Sequence, residues 1–215
     1  MSNREVFRHK QARAYRFLAN ISSDGRKYTS PFLGFLIATE LIDDAELQVA
    51  LVTSEASDFW DGFLGKKSHD IEPNSAEKIE GGARDRKADQ WLYRSVMSGL
   101  AVKALRHRQF GRATLYAGLM VTQGVRDVVV ENWRNQAGEK GNKNTGAIQA
   151  ARLKTALNDI GMAIALDRGK HIPHSERFAD MMLVGGATLS LSTMGTYRTM
   201  FVSGSALSET LPLQT

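Results

Sequence analysis

Apolar residues recur at helical spacing across Ala83–Arg134, a stretch without proline. Leu92, Val96, Gly99 and Leu100 fall on one stripe. Leu115, Gly118, Leu119 and Thr122, with Val121, Val125 and Val128, give a broader second stripe. Between them lies RHRQFGR, Arg106–Arg112, whose glycine marks a bend. The pattern predicts two long helices folded back on each other, with Gly99, Gly118 and Gly124 permitting close approach.

Towards the N-terminus the pattern is less regular. Arg4–Arg8 reads as a strand or a helix start, and Ala12, Tyr15, Phe17 and Leu18 then follow at helical spacing. SSDGRKYTSP, Ser22–Pro31, is rich in turn-forming residues. Thr29 or Ser30 before Pro31 would cap a new apolar helix, Phe32–Leu41. Short strand, helix, turn and helix is also the order of a ribbon–helix–helix DNA-binding unit, in which paired strands from a dimer enter the major groove. In that arrangement the second helix aims its N-terminus, here beside Thr29 and Ser30, at a phosphate.

Glu46–Thr53 can be a buried strand or a helical turn, and Ser54–Leu64 reads as a helix bearing Phe59, Trp60 and Phe63. Their acidic surroundings favour a packing role over base stacking. Gly65–Asp85 is polar and glycine-rich, an expected exposed connection. After a second loop, 135–146, Thr145 can cap a helix with the stripe Leu153, Ala156, Leu157 and Ile160, stopping near Gly161. His171–Arg177 reads as a loop, and Leu183–Val202 as a β-hairpin turning at Thr193–Thr196. The expected fold is therefore mainly α with short β segments: a unit over 1–64 with a possible ribbon–helix–helix core, a connection over 65–85, and 86–215 carrying the helical pair, a further helix and a small C-terminal β-hairpin. The last segment would pack with the first as one domain.

Composition narrows the class. The 215 residues are 42% hydrophobic and 24% charged, with mean hydropathy −0.29, which predicts a soluble chain. No apolar run approaches the ~18 residues of a membrane span, and MSNREVFRHK has no apolar signal region. Cysteine is absent, which removes disulfides and thiolate chemistry and fits a cytoplasmic location.

Charge changes the picture more. The net charge of +5 is unevenly distributed. Residues 1–34 and 84–112 are basic, whereas 37–63 hold seven acids (Glu40, Asp43, Asp44, Glu46, Glu55, Asp58, Asp61) and no base. A protein with a basic face and an acidic face follows, set against the plainer alternative of solvated helices that pair with one another.

Catalytic patterns are missing: no phosphate loop, dinucleotide glycines, nucleophile elbow or zinc-protease motif occurs. His171 and His174 lack a third ligand. Asp43–Asp44 and Asp58/Asp61 could hold Mg²⁺, but such pairs more often satisfy helix ends. No enzyme, metal or cofactor is expected. Binding to double-stranded DNA is, because Lys and Arg neutralise phosphates and release counterions. The candidate contacts are Arg4, Arg8, Lys10 and Arg13 near the supposed ribbon, Thr29 and Ser30 at the second helix, and Arg84, Arg86, Lys87, Lys103, Arg106, Arg108 and Arg112 as phosphate clamps.

HKQARAYRF at His9–Phe17, ADQWL at Ala88–Leu92, the helical pair with ALRHRQFGR, and ARLKTALNDIG at Ala151–Gly161 occur in the order and spacing of a known family. In these the chain resembles the AcaB-like transcriptional regulators of conjugative elements, the DUF1845 group. They cover about two thirds of the chain; the acidic 43–61 stretch and the C-terminal segment do not match. The resemblance implies a homodimeric, sequence-specific DNA-binding activator of conjugative transfer genes that also contacts the transcription machinery, for which the acidic 40–61 face is a candidate. Two alternatives stand beside it: a structural or accessory protein that coats nucleic acid, and a module whose basic face meets an acidic protein.

Overall fold

The computed structural model describes residues 3–72, 75–139, 149–167 and 174–202, with side chains throughout except at 3–4, 75–80, 137–139, 149 and 202. Six helices make up the described chain: α1 (Asn3–Thr39), α2 (Asp44–Ile71), α3 (Ser75–Arg106), α4 (Phe110–Glu139), α5 (Gln149–Asp167) and α6 (Ser175–Val202). Each packs on two neighbours in a closed ring, α1–α3–α4–α6–α5–α2 and back to α1, with α3 also touching α2 and α5.

No strand occurs among the described residues, so the ribbon–helix–helix core and the C-terminal β-hairpin are both overturned. The reason is visible in α1. Ala12, Ser23, Arg26, Ser30, Leu33 and Ile37 are all buried, at spacings a single helix face produces. The face runs straight through the supposed turn, but its middle is polar because it meets carboxylates rather than a hydrocarbon core. Pro31 removes one backbone donor inside α1. Thr29 and Ser30 do not cap a second helix: their hydroxyls donate back to the carbonyls of Gly25 (2.9 Å) and Arg26. The supposed hairpin is likewise a helix, because Ala179, Leu183, Ala187, Ser190, Thr193, Tyr197 and Phe201 form its buried face. Ser190 fits there by donating to the Gln123 side chain at 2.9 Å.

The expected connection over 65–85 is helical at 65–71 and 75–85. The bend between α3 and α4 falls where expected, but Arg108 turns it rather than Gly111: its φ is 57°. Gln109 N–H donates to Ala104 and Arg108 N–H to Leu105, each at 2.9 Å, closing α3 with a Schellman motif. The loop over 135–146 and the Thr145 cap lie partly or wholly outside the described residues, while α5 continues through Gly161 to Asp167.

The apolar core joins Leu33 and Ile37 of α1, Leu47 and Leu51 of α2, Val96, Met97 and Leu100 of α3, Leu119 of α4, Met162 and Leu166 of α5 and Leu183 of α6. Glycines set two crossings. A Cβ on Gly34 would lie 2.4 Å from the Ser95 carbonyl oxygen, and one on Gly99 would lie 2.5 Å from that of Gly34. At the α5–α6 crossing a Cβ on Gly186 would lie 2.2 Å from Asn158 Oδ1. Gly118, in contrast, faces open space, and Gly124 meets only the Arg94 side chain.

Candidate nucleic-acid interface

α1 and α3 run parallel, as the Arg26–Asp89 and Gly34–Ser95 contacts require, and α2 runs antiparallel to both. The N-terminal part of α1 therefore lies beside the C-terminal part of α2. Arg16 Nε donates to Ser68 Oγ at 2.8 Å, and His9 and Arg16 both reach Glu72. Arg8, Lys10 and Arg13 are exposed at this end, where α2 adds exposed Lys66 and Lys67. The Lys67 ammonium sits 4.7 Å from the Phe63 ring and 6.0 Å from that of Tyr15, which fixes it against α1. None of these five cations has an ion pair among the described residues. The Arg4 side chain lies outside the described ones.

Arg84 approaches Asp24 at 4.0 Å and lines, with Arg16 and Lys66, a cavity of about 590 Å³ between α1, α2 and α3. Its inner wall carries Ser23, Asp61 and Asp85. Lys87 is exposed; Arg86 faces Glu131 at 3.7 Å.

The second basic group behaves differently. Lys103 is buried, with its ammonium on Asp44 and 3.8 Å from Glu40. Arg106 donates to the Ala38 carbonyl at 2.8 Å and faces Glu40 at 4.0 Å. Arg112 is held by Glu176 and by Asp180 at 3.4 Å. Of the candidate phosphate clamps at this end, Arg108 alone is exposed without a described ion pair. The two basic stretches thus do not form one face.

Nor do the acids of 40–61. Glu40 and Asp44 meet the α3 terminus, and Asp58 and Asp61 turn inward onto Arg26, which is 3% exposed. Its guanidinium lies 2.8 Å from Asp58, 3.1 Å from Asp61 and 2.7 Å from Asp89, and also contacts Asp85. Burial opposes the Arg26 charge, but these carboxylates, Asp89 first, more than offset it and hold the group charged well above the usual arginine range. The carboxylates in turn crowd one another. Burial first, then neighbouring acids, pushes Glu55 up to about 8, and Asp85, Asp89 and Asp159 up to about 7. Asp58, Asp85 and Asp89 bring their oxygens within 4.8 Å of one another. Arg26 occupies the position a metal ion would take among them, so the Asp58/Asp61 pair is explained by an internal cation. Of the H-x-x-H pair, His171 lies outside the described residues; His174 starts α6, its carbonyl accepting from Arg177 and Phe178.

Sequence reasoning missed Lys66 and Lys67, which sit in a stretch expected to be a connection. It also missed Arg26, whose spacing from Ser23, Ser30 and Leu33 was the available signal.

No protein-family model matches the chain, and no curated protein or solved structure matches it either. What the fold and site define, among the described residues, is a helical bundle with a basic end and a buried ionic centre. No helix among the described residues is long and apolar enough to cross a membrane.

Proposed function

We propose that the protein binds double-stranded DNA through the α1–α2 end of the bundle and works in the cytoplasm as a transcriptional regulator of the kind its AcaB-like resemblance implies. The observation that carries the reading is that Arg8, Lys10 and Arg13 of α1 and Lys66 and Lys67 of α2, segments far apart in sequence, are exposed at the same end of the bundle. Cations gathered at one end can each neutralise a phosphate. With no β-ribbon to enter a groove, base reading would fall to side chains of the first turns of α1. Activation of transfer genes and a contact with the transcription machinery rest on the resemblance; Asp43 and Glu46 are acids of that stretch left exposed for such a contact.

A second reading is favoured by one observation: the described residues contain no strand, and so no β-ribbon to read a groove. In that reading the protein is a non-enzymatic accessory component that coats nucleic acid.

Gel-shift titrations against DNA upstream of its own operon, with scrambled duplex and single-stranded competitors at two salt concentrations, separate these readings. Regulation requires a shift that survives scrambled competitor; coating gives one that every competitor removes equally. Combining Arg8→Gln, Lys10→Gln and Arg13→Gln should flatten the log–log salt dependence by roughly 2–3, close to 0.9 per lost phosphate contact. Arg106→Gln with Arg108→Gln should leave the slope almost unchanged. The reverse pattern would move the DNA to the α3–α4 bend and overturn this assignment, and no shift at all would leave the basic end as a protein-binding surface.

A further inference from the structure

α1 has two apolar edges, and only one is used inside the bundle. On its outer side Phe7, Phe17, Leu18, Ile21, Tyr28, Phe32 and Phe35 are 67%, 65%, 50%, 53%, 74%, 62% and 53% exposed. Positions 7, 14, 21, 28 and 35, with 18, 25 and 32 between them, repeat every seven residues, which is the spacing of a helix–helix seam. At 150–250 Å² for a whole aromatic side chain, the stripe leaves roughly 800 Å² in water. That exceeds the ~300–600 Å² largest patch of an ordinary monomer and equals one partner's share of a standard interface, ~800 Å².

We propose that this stripe is a homodimer seam, α1 of one copy packing antiparallel on α1 of a second. Size is the first reason. Gly25 is the second. It sits inside the stripe, exposed and far from either end of α1, and a Cβ there would meet nothing within 4 Å. No contact among the described residues requires a glycine at that place. A second helix crossing at Gly25 does, since two backbones approach most closely where both lack a side chain. Charge supplies the direction: a parallel pair would stack Arg8, Lys10 and Arg13 on their own copies, and an antiparallel pair separates them. With the two-fold axis at Gly25, the Arg13 positions lie roughly 36 Å apart along the seam, at 1.5 Å per residue. Successive DNA half-sites are ~34–36 Å apart. That last correspondence rests on the DNA-binding reading; the seam itself does not.

The chain contains no cysteine, so single cysteines report the geometry directly. Sedimentation equilibrium of the full chain should give twice its 23.7 kDa mass. Ile21→Glu with Phe32→Glu should halve that mass while leaving the helical circular dichroism and a cooperative unfolding transition in place, because neither side chain belongs to the apolar core. Val125→Glu, on the exposed valine edge of α4, should remain dimeric. Under mild oxidation Leu18→Cys should cross-link efficiently to Phe32→Cys when the two variants are mixed, and only weakly to itself. This cross-linking holds even if the glutamate variant fails to fold. A monomeric wild type, a dimer that survives Ile21→Glu with Phe32→Glu, dissociation by Val125→Glu instead, or Leu18→Cys joining mainly to itself would each overturn the antiparallel seam. Because these readouts involve no DNA, their failure is separate from failure of the DNA-binding reading.

Discussion

Removing Arg26 would leave Asp58, Asp61, Asp85 and Asp89 without the guanidinium they surround. A buried charge stripped of its partner costs about 3–5 kcal/mol, and Arg26→Met should destabilise the bundle by that order at pH 8. Protonated carboxylates need no cation, however, and two of these, Asp85 and Asp89, hold protons up to about pH 7. The loss should therefore be clearly smaller at pH 5.5. Urea unfolding of wild type and variant at both pH values checks this; equal losses would mean that the carboxylates and the arginine do not act as one unit. Nothing in composition marked this residue. Arg26 lies within SSDGRKYTSP, where serine, aspartate and glycine signal a turn, and only its three- and four-residue spacing to Ser23, Ser30 and Leu33 placed it on a buried face.

At the scale of elements, the closest approach is that of α1 to α3 at Gly34 and Gly99. Gly34→Ala would drive a methyl group to 2.4 Å from a backbone oxygen that cannot move without shifting α3. Overpacking of that kind costs about 1–3 kcal/mol. Gly118→Ala faces open space on α4 and should gain up to ~1 kcal/mol from helix propensity. Denaturant midpoints moving in opposite directions would bear this out, and parallel shifts would argue against a tight crossing. The α3–α4 pair, its bend and Gly99 were legible because the apolar period there is regular. Which face of α4 turns inward was not: Val121, Val125 and Val128 are exposed, whereas Gln123, Arg126 and Asp127 are buried. α5 shows the same inversion, with Leu153 and Ile160 exposed and Asn158 buried. A hydrophobic stripe locates the core only where the core is hydrocarbon. Here more than a third of the buried residues are polar or charged, so polar residues occupy inward positions on α1, α4, α5 and α6, and apolar residues are left outside.

The whole molecule carries that ionic interior as a dependence on pH. Unevenly distributed charge was legible in the sequence, but its placement was not, because the acids of α2 fold inward onto α1 and α3 rather than forming a face. Glu55, Asp85, Asp89 and Asp159 titrate between about 7 and 8 in the fold, against roughly 4 in an unfolded chain. Across that interval the native state binds more protons than the unfolded one, so stability falls as pH rises. The stabilisation is fully present below about pH 4 and is lost by about pH 8. Asp85 and Asp89 keep 37% and 41% of their side chains exposed, so solvent screens their share. At constant ionic strength the melting temperature should fall by several degrees, on the order of 1 kcal/mol or more, between pH 5.5 and 8.5. Asp85→Asn with Asp89→Asn should flatten the decline and raise stability at pH 8.5, because the amides keep the shape and remove two of the charges that repel. A melting temperature that is level or rising to pH 8.5 would mean that these carboxylates ionise normally, and that water or further cations reach the centre around Arg26.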